Sequence, residues 1–466
     1  MKILLSTPPG KSSECWPPLG LLYLASSLKK QRGDKVRVFD AFCLNMDSST
    51  LVSEIEKEAP DVLGMNCSTH MFLDTMKVVS EVKMRMPDIT VILGGYHPTF
   101  TSKEILASYE EVDFIVRGEG ELVLPQLLDF IEKNQRPYSL SGVAFRDGRK
   151  IVQNEFDLIR DLDSLPFPDR HLVADVEYGY SHLGVPLTFG KLTTICSSRG
   201  CPHECTYCSC SRLMKKKYRE RSPSNVIDEL IQIESQGYKN CIFVDDNFTL
   251  NRKRVIELCR LIRRERLDLR FYAEGRVDRA DISLLKEMKK AGFEVIYFGA
   301  ESASARVLSY YKKGCKPDEI RNAIRNAKKA GLLVVASFII GAPIENHDDV
   351  MMTLDLIEET YPHAIQINIL DCLVGTPMWE NFDSLGLIGG DDWKTNHRIF
   401  EYPVTPFSKE ELDTFVRLGY SRLFNKWKKP KSLISLFLSL TKNRVLRNIL
   451  FYNLRNPAAR QLISNA

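Results

Sequence analysis

Cys201-Pro202-His203-Glu204-Cys205-Thr206-Tyr207-Cys208 sets three cysteines within eight residues, spaced C-x3-C-x2-C. Directly before it, Leu192-Thr193-Thr194-Ile195-Cys196-Ser197 is apolar and β-branched and reads as a strand. A cysteine loop at the carboxyl end of a strand lies where α/β folds collect their chemistry. A cluster of four irons ordinarily takes four thiolates. Three thiolates leave one iron able to accept a small molecule, which points to chemistry more than to scaffolding. Gly200 before the first cysteine and Tyr207 before the third sharpen that reading.

The octet resembles the signature of radical S-adenosylmethionine (SAM) enzymes. The resemblance implies that Cys201, Cys205 and Cys208 hold a [4Fe–4S] cluster, that the open iron is chelated by SAM, and that Tyr207 lies beside the SAM adenine. The alternative is a zinc site, with a fourth ligand from Cys196, Cys210 or His203. Zinc knots usually show two C-x2-C halves, and the second half is missing here.

Downstream of the octet the chain alternates strand and helix. Strands are expected near residues 192–197, 241–244, 270–273, 295–299, 334–340 and 364–370. Helices are expected at 224–236, 252–266, 282–291, 318–330 and 348–359, the first with Ser222 as its cap and Pro223 at its first position. Six βα repeats predict a partial (β/α)6 TIM-type barrel, open because two units are missing, with its functional groups at the strand carboxyl ends. Those ends read Asp245-Asp246-Asn247, Glu274-Gly275-Arg276, Gly299-Ala300-Glu301, Ile340-Gly341 and Asp371-Cys372. The family resemblance implies that Asp245 and Asp246 lie near the SAM amino group and Glu301 near its methionine or ribose portion. It also implies that Ile340 and Gly341 pack the adenine and that Arg276 makes a polar contact. A salt bridge at the barrel mouth is the plainer role for Glu301 or Arg276 taken singly. Cys210 reads as a bystander. Lys215-Lys216-Lys217, Arg219 and Arg221 read as a solvated helix flank, with a site for an anionic ligand as the alternative.

Upstream, residues 1–135 read as five βα units, with strands at 2–6, 36–40, 62–67, 90–93 and 113–116. That pattern predicts a flavodoxin-like, doubly wound parallel sheet. Its strand ends, with Ser68 and Thr69, Gly94 and Gly95, and Gly118 and Glu119, are small or polar enough for a large ligand to approach the backbone. Together with the helix-opening Pro17-Pro18-Leu19-Gly20, they resemble the cobalamin-binding domain found ahead of many radical SAM cores. Families that ligate cobalt through histidine carry Asp-x-His-x-x-Gly after the first strand, where this chain has Ser6-Thr7-Pro8-Pro9. Bound cobalamin is therefore expected without a histidine ligand, and His70 and His97 are expected to be pocket or surface residues.

Residues 136–189 read as a small β extension and a Pro-rich linker around Leu165-Pro166-Phe167-Pro168. The barrel is then assigned to 190–395 and a small basic helical region to 396–466. After Asp413 there are eleven lysines and arginines and no acidic residue, beside apolar stretches at 433–440 and 445–454. A capping domain is the plainer reading of this tail, and docking on an anionic membrane surface the alternative. Charge without a stacking platform argues against nucleic acid.

A net charge of +4 implies no overall electrostatic partner. Twelve dispersed cysteines, an oxygen-sensitive cluster and an amino terminus without an apolar leader suit a reducing cytoplasm. The resemblance thus implies three cofactors, a [4Fe–4S] cluster, SAM and cobalamin. It also implies a small-molecule substrate, possibly lipid-like under the membrane reading, and an electron donor such as flavodoxin or ferredoxin. The expected reaction is methyl transfer to an unactivated position. Ring formation or rearrangement with the same cofactors is the second reading, and a non-catalytic iron–sulfur or zinc protein the third.

Overall fold

A computed structural model describes residues 1–10, 15–179, 181–182, 185–186, 188, 190–402 and 404–427. The apolar stretches at 433–440 and 445–454 lie outside the described residues. The chain divides into two compact units that are not contiguous in sequence. The first comprises Met1–Tyr178 with Ser209–Arg219 and Leu373–Asn396, and the second comprises Gly179–Cys208, Glu220–Cys372 and the chain from His397.

The first unit is built on strands β1 (Lys2–Ser6), β2 (Lys35–Phe39), β3 (Val62–Asn66), β4 (Thr90–Gly94) and β5 (Phe114–Val116). They pair in parallel in the order β2-β1-β3-β4-β5. This is the doubly wound order with its reversal beside β1. Two further strands, β6 (Val143–Asp147) and β7 (Lys150–Gln153), extend the sheet antiparallel beyond β5. Side-chain alternation explains the two faces. Ile3 and Leu5 pack with Leu21, Leu22 and Leu28 of helix α1 (Leu19–Arg32). Leu4, between them, packs with Leu51 and Ile55 of α2 (Ser48–Glu58) and Val78 and Val79 of α3 (Phe72–Arg85).

The second unit carries β8 (Leu192–Ile195), β9 (Asn240–Phe243), β10 (Arg270–Arg276), β11 (Phe293–Glu301), β12 (Leu333–Ile340) and β13 (Ala364–Ile369). All five ladders are parallel and the strands follow one another in chain order, with β8 and β13 as edges. Winding in one direction without reversal is barrel-type topology, here as an open sheet of six strands. Its apolar centre includes Phe243, Phe248, Phe271 and Phe293, whose ring centroids lie 4.7 to 5.7 Å apart. The helix Pro223–Ser235 starts as expected, with Ser222 Oγ accepting from Asn225 N. The helix Lys409–Trp427 is the last element among the described residues.

Candidate active site

The cysteine loop leaves β8 through Gly200, whose φ of +90° suits a residue without a Cβ. Asp245, at the end of β9, holds the start of this loop. Its Oδ1 accepts from Ser197 N at 2.8 Å, and its Oδ2 accepts from the Ser197 and Ser198 hydroxyls at 2.6 and 2.5 Å. Asp246 accepts from Gly200 N at 2.7 Å. Asp245 is buried, and burial pushes its pKa up while Arg254 and the serines oppose that. Sequence reasoning expected both aspartates near the SAM amino group. Asp245 accepts three bonds from the loop that carries the cysteines, whereas Asp246 is exposed.

Cys205 is buried, and Cys201 and Cys208 are partly accessible. Burial pushes the Cys201 thiol up, and the His203 amide, the Arg276 charge and the Asn247 amide act in the opposite direction. Asn247 Nδ2 lies 3.9 Å from Cys201 Sγ. Such donors favour a thiolate, the form that binds iron. Among the described residues no three Cys, His, Asp or Glu side chains converge as a single-ion site. A zinc ion would need its donors about 2 Å from one point. A cubane instead spreads its thiolates over separate irons, and three cysteines on one loop are a donor set such a cluster takes.

A second loop supports the first from below. The chain after β11 passes through the short helix Ala305–Tyr310 and turns at Lys312 and Gly314, whose φ values are +49° and +72°. Tyr311 O accepts from Thr206 N at 3.0 Å, and the Tyr207 and Tyr311 rings meet edge to face at 5.1 Å. Arg276 donates to Lys313 O and, at 2.9 Å, to Asp278. Arg276 thus makes a salt bridge at the end of β10.

Tyr207 donates to Glu301 Oε1 at 3.0 Å, and Lys313 Nζ lies 2.8 Å from the same oxygen. Burial pushes the Tyr207 hydroxyl well above its ordinary range, and Glu301 adds to that. Glu301 itself has a left-handed backbone, φ +66°, beside a register shift between β11 and β12. Beyond β12, Gly341 has φ +97°, and its amide and that of Ala342 donate to Glu345 at 2.6 and 3.1 Å. Ile340, fully buried, precedes this turn.

Three residues absent from the sequence-derived set stand out in this unit. Lys313 and Glu345 are buried at the loops just described. Glu274 has an accessible side chain that is nevertheless ringed by protein, and this enclosure pushes its carboxyl up to about 7, with Asp246, Asp245 and Glu301 adding to the effect. Glu274 was legible only as the residue two before Arg276, on the same face of β10.

In the first unit, Thr69 Oγ1 lies 3.2 Å from His97 Nδ1, and Ser68 opens that turn. Gly94 O accepts from Cys67 N at 2.9 Å. A Cβ on Gly95, φ +101°, would sit 3.0 Å from Cys67 O. A Cβ on Gly118, φ +72°, would strike the Phe156 ring at 2.5 Å. His97 is fully buried, packs against Phe72 and Trp393, and is pushed down to about 4 by burial, so it is neutral. The carboxyl edge of β1–β5 also exposes one large apolar side chain per strand: Trp16, Leu44, Leu73, Tyr96 and Leu122. An apolar edge above a glycine-lined backbone suits a broad, largely apolar ligand such as a corrin.

Glu119 is placed differently from expectation. It is buried and accepts from Arg219 at 2.6 Å and from Ile159 N at 2.8 Å. The basic run after the cysteines is likewise corrected. Arg219 and Arg221 are not a solvated helix flank, because their guanidinium groups are buried against Glu119 and Glu229. The run forms a turn, with positive φ at Lys215 and Lys216, leading into a two-residue strand at Arg219–Glu220.

Comparison with known proteins agrees with both units. Residues 195–357 match the model of the radical SAM superfamily, and residues 10–128 match that of the B12 binding domain. An uncharacterized methyltransferase of Pyrococcus horikoshii is 33% identical over 444 residues, covering 93% of this chain and 94% of that protein. The anaerobic magnesium-protoporphyrin IX monomethyl ester cyclase of Cereibacter sphaeroides is 32% identical over 358 residues, 75% of this chain and 56% of that protein. Among solved structures, the cobalamin-dependent SAM radical enzyme OxsB superposes with a TM-score of 0.72 at 16% identity, covering 100% of this chain and 75% of that one. Fold and cysteine loop together define a radical SAM enzyme with a B12-type amino-terminal sheet. The chain belongs to the cobalamin-dependent radical SAM methyltransferase family.

Proposed function

We propose that this enzyme transfers a methyl group from SAM to an unactivated carbon of a small, largely apolar substrate. The observation that carries the reading is one chain holding both a three-cysteine loop with donors at its sulfurs and a glycine-lined, apolar sheet edge. Cys201, Cys205 and Cys208 would hold the [4Fe–4S] cluster, and Asp246, Glu301, Tyr207, Ile340 and Gly341 would surround SAM. Ser68, Thr69, Gly94, Gly95 and Gly118 would line the cobalamin site. When bound, these groups supply one-electron cleavage of SAM and a cobalt-borne methyl donor. The chain's own share is to fix the cysteine loop through Asp245 and to keep the Tyr207–Glu301–Lys313 network dry.

A small electron-transfer protein of the flavodoxin or ferredoxin kind would reduce the cluster. The working compartment would be the cytoplasm. The eleven basic residues after Asp413 would bring the enzyme to anionic membrane, which fits a lipid-like substrate. Cosedimentation with anionic but not neutral vesicles tests that part.

The test of the main reading is anaerobic reconstitution with iron, sulfide and hydroxocobalamin, followed by dithionite and methyl-deuterated SAM. 5′-Deoxyadenosine and a deuterated methyl group in a product support it. A fully loaded protein that forms no 5′-deoxyadenosine overturns it. The relationship to the cyclase of Cereibacter sphaeroides keeps ring formation as a second reading. Deoxyadenosine formed without label in the product would favour that outcome.

A further inference from the structure

We propose that Lys313 is a positioning residue that aims Glu301 at SAM and places a positive charge beside the cluster. This rests on the reading that Cys201, Cys205 and Cys208 hold the cluster with SAM on its open iron. Lys313 is 6% exposed, and a buried lysine is tolerated only when it is paired. Its ammonium donates to Glu301 Oε1 at 2.8 Å and to the Tyr207 hydroxyl at 3.3 Å. Both Lys313 and Tyr207 converge on Oε1, which leaves Oε2 of Glu301 as the acceptor for hydroxyls of a ligand.

The backbone is shaped around this contact. Glu301 has a left-handed φ of +66°, and a Cβ on Gly299 would lie 2.5 Å from Glu301 Oε1 and 2.9 Å from Lys313 Nζ. A side chain at position 299 would thus displace the tips of the pair. The loop that carries Lys313 also touches the cysteine loop. Lys312 O lies 4.0 Å from Cys205 Sγ, Tyr311 O binds Thr206 N, and Arg276 binds Lys313 O. Lys313 therefore links the end of β11 to the cluster loop, one residue from the carbonyl that lies beside Cys205. A cation there favours the more negative, reduced state of a cluster.

The experiment compares wild type, Lys313→Met, Lys313→Arg and Gly299→Ala as full-length, reconstituted proteins. Iron and sulfide content, the midpoint potential from an EPR-monitored titration, and SAM affinity are measured for each. Lys313→Met should keep its cluster, shift the potential to more negative values and bind SAM about tenfold more weakly, the scale of one lost charge-assisted hydrogen bond. Lys313→Arg should recover the potential. Gly299→Ala should weaken SAM binding, since its Cβ displaces the carboxylate, and should shift the potential less than Lys313→Met does, since the charge is kept. A cluster-loaded Lys313→Met with wild-type potential and SAM affinity would overturn the proposal. If that variant loses its cluster, wild-type SAM affinity in Gly299→Ala overturns it instead. A wild-type chain that takes up no cluster would overturn the underlying reading, a separate outcome.

Discussion

Asp245 grips Ser197 twice, through the amide at 2.8 Å and through the hydroxyl at 2.6 Å. A third bond comes from Ser198 and a nearby charge from Arg254, which together oppose the cost of burying a carboxylate at the root of the cysteine loop. Its neighbour Asp246 makes one bond, to Gly200 N, and keeps an exposed side chain. Two adjacent aspartates thus divide between a buried anchor of the loop and an exposed carboxylate at its edge.

That division predicts opposite phenotypes. Asp245→Ala should lower stability by about 2–4 kcal/mol, because it strands two hydroxyls, an amide and Arg254 in the interior. Urea unfolding of the cluster-free protein measures this, and iron uptake should fall in parallel. Asp246→Ala should cost about 1 kcal/mol or less and weaken SAM binding instead. Equal losses of stability in the two variants would contradict the assignment.

The cysteines give a cleaner contrast. Cys205→Ala should abolish both the brown chromophore and SAM cleavage. Cys210→Ala should leave both largely intact. Cys210 is buried as the first residue of the short helix Cys210–Leu213, which groups with the first compact unit while Cys208 groups with the second. Visible absorption and 5′-deoxyadenosine formation decide the matter. A colourless Cys210→Ala protein would reassign the ligand set.

The strands were legible because each is a short β-branched or aromatic run closed by turn residues. Lys2–Ser6 and the six strands from Leu192 fall where the pattern placed them, to within a few residues. Lys313 was not legible. In Lys312-Lys313-Gly314 it reads as a solvated turn, and its burial goes with its pairing to Glu301 and Tyr207, distant in sequence, which no periodicity encodes. Arg219 and Arg221 failed for a related reason. A run of basic residues looks solvated until the fold brings Glu119 and Glu229 against it. Glu345 closes a turn onto Gly341 only four residues away, yet its burial comes from the tertiary fold.

Gly95 offers a test of the first unit that is independent of the cluster. At φ +101°, with a Cβ only 3.0 Å from Cys67 O, Gly95→Ala should strain the turn after β4 and cost about 1–3 kcal/mol. Cobalamin uptake, read from the visible spectrum after incubation with hydroxocobalamin, should drop. Iron content of the second unit should stay at the wild-type level. Undiminished cobalamin uptake in a folded Gly95→Ala protein would remove this turn from the cobalamin site.

Glu274 supplies a pH dependence whose direction is fixed. Its carboxyl is raised from an ordinary value near 4.5 to about 7, first by the desolvation from the protein that rings it and then by Asp246, Asp245 and Glu301. Between those values the unfolded chain has lost the proton and the folded chain keeps it, so this group makes stability fall as pH rises. Below about 4.5 both states are protonated and the contribution is flat; above about 7 both are ionised and it is flat again. Glu274→Gln removes the effect. The thermal midpoint of the variant, measured without SAM, should match wild type near pH 4.5 and exceed it increasingly up to pH 7, then hold a constant lead. The size of the lead will be reduced by the solvent that reaches this side chain. A difference between the two proteins that does not change with pH would show that Glu274 ionises as an ordinary surface carboxylate.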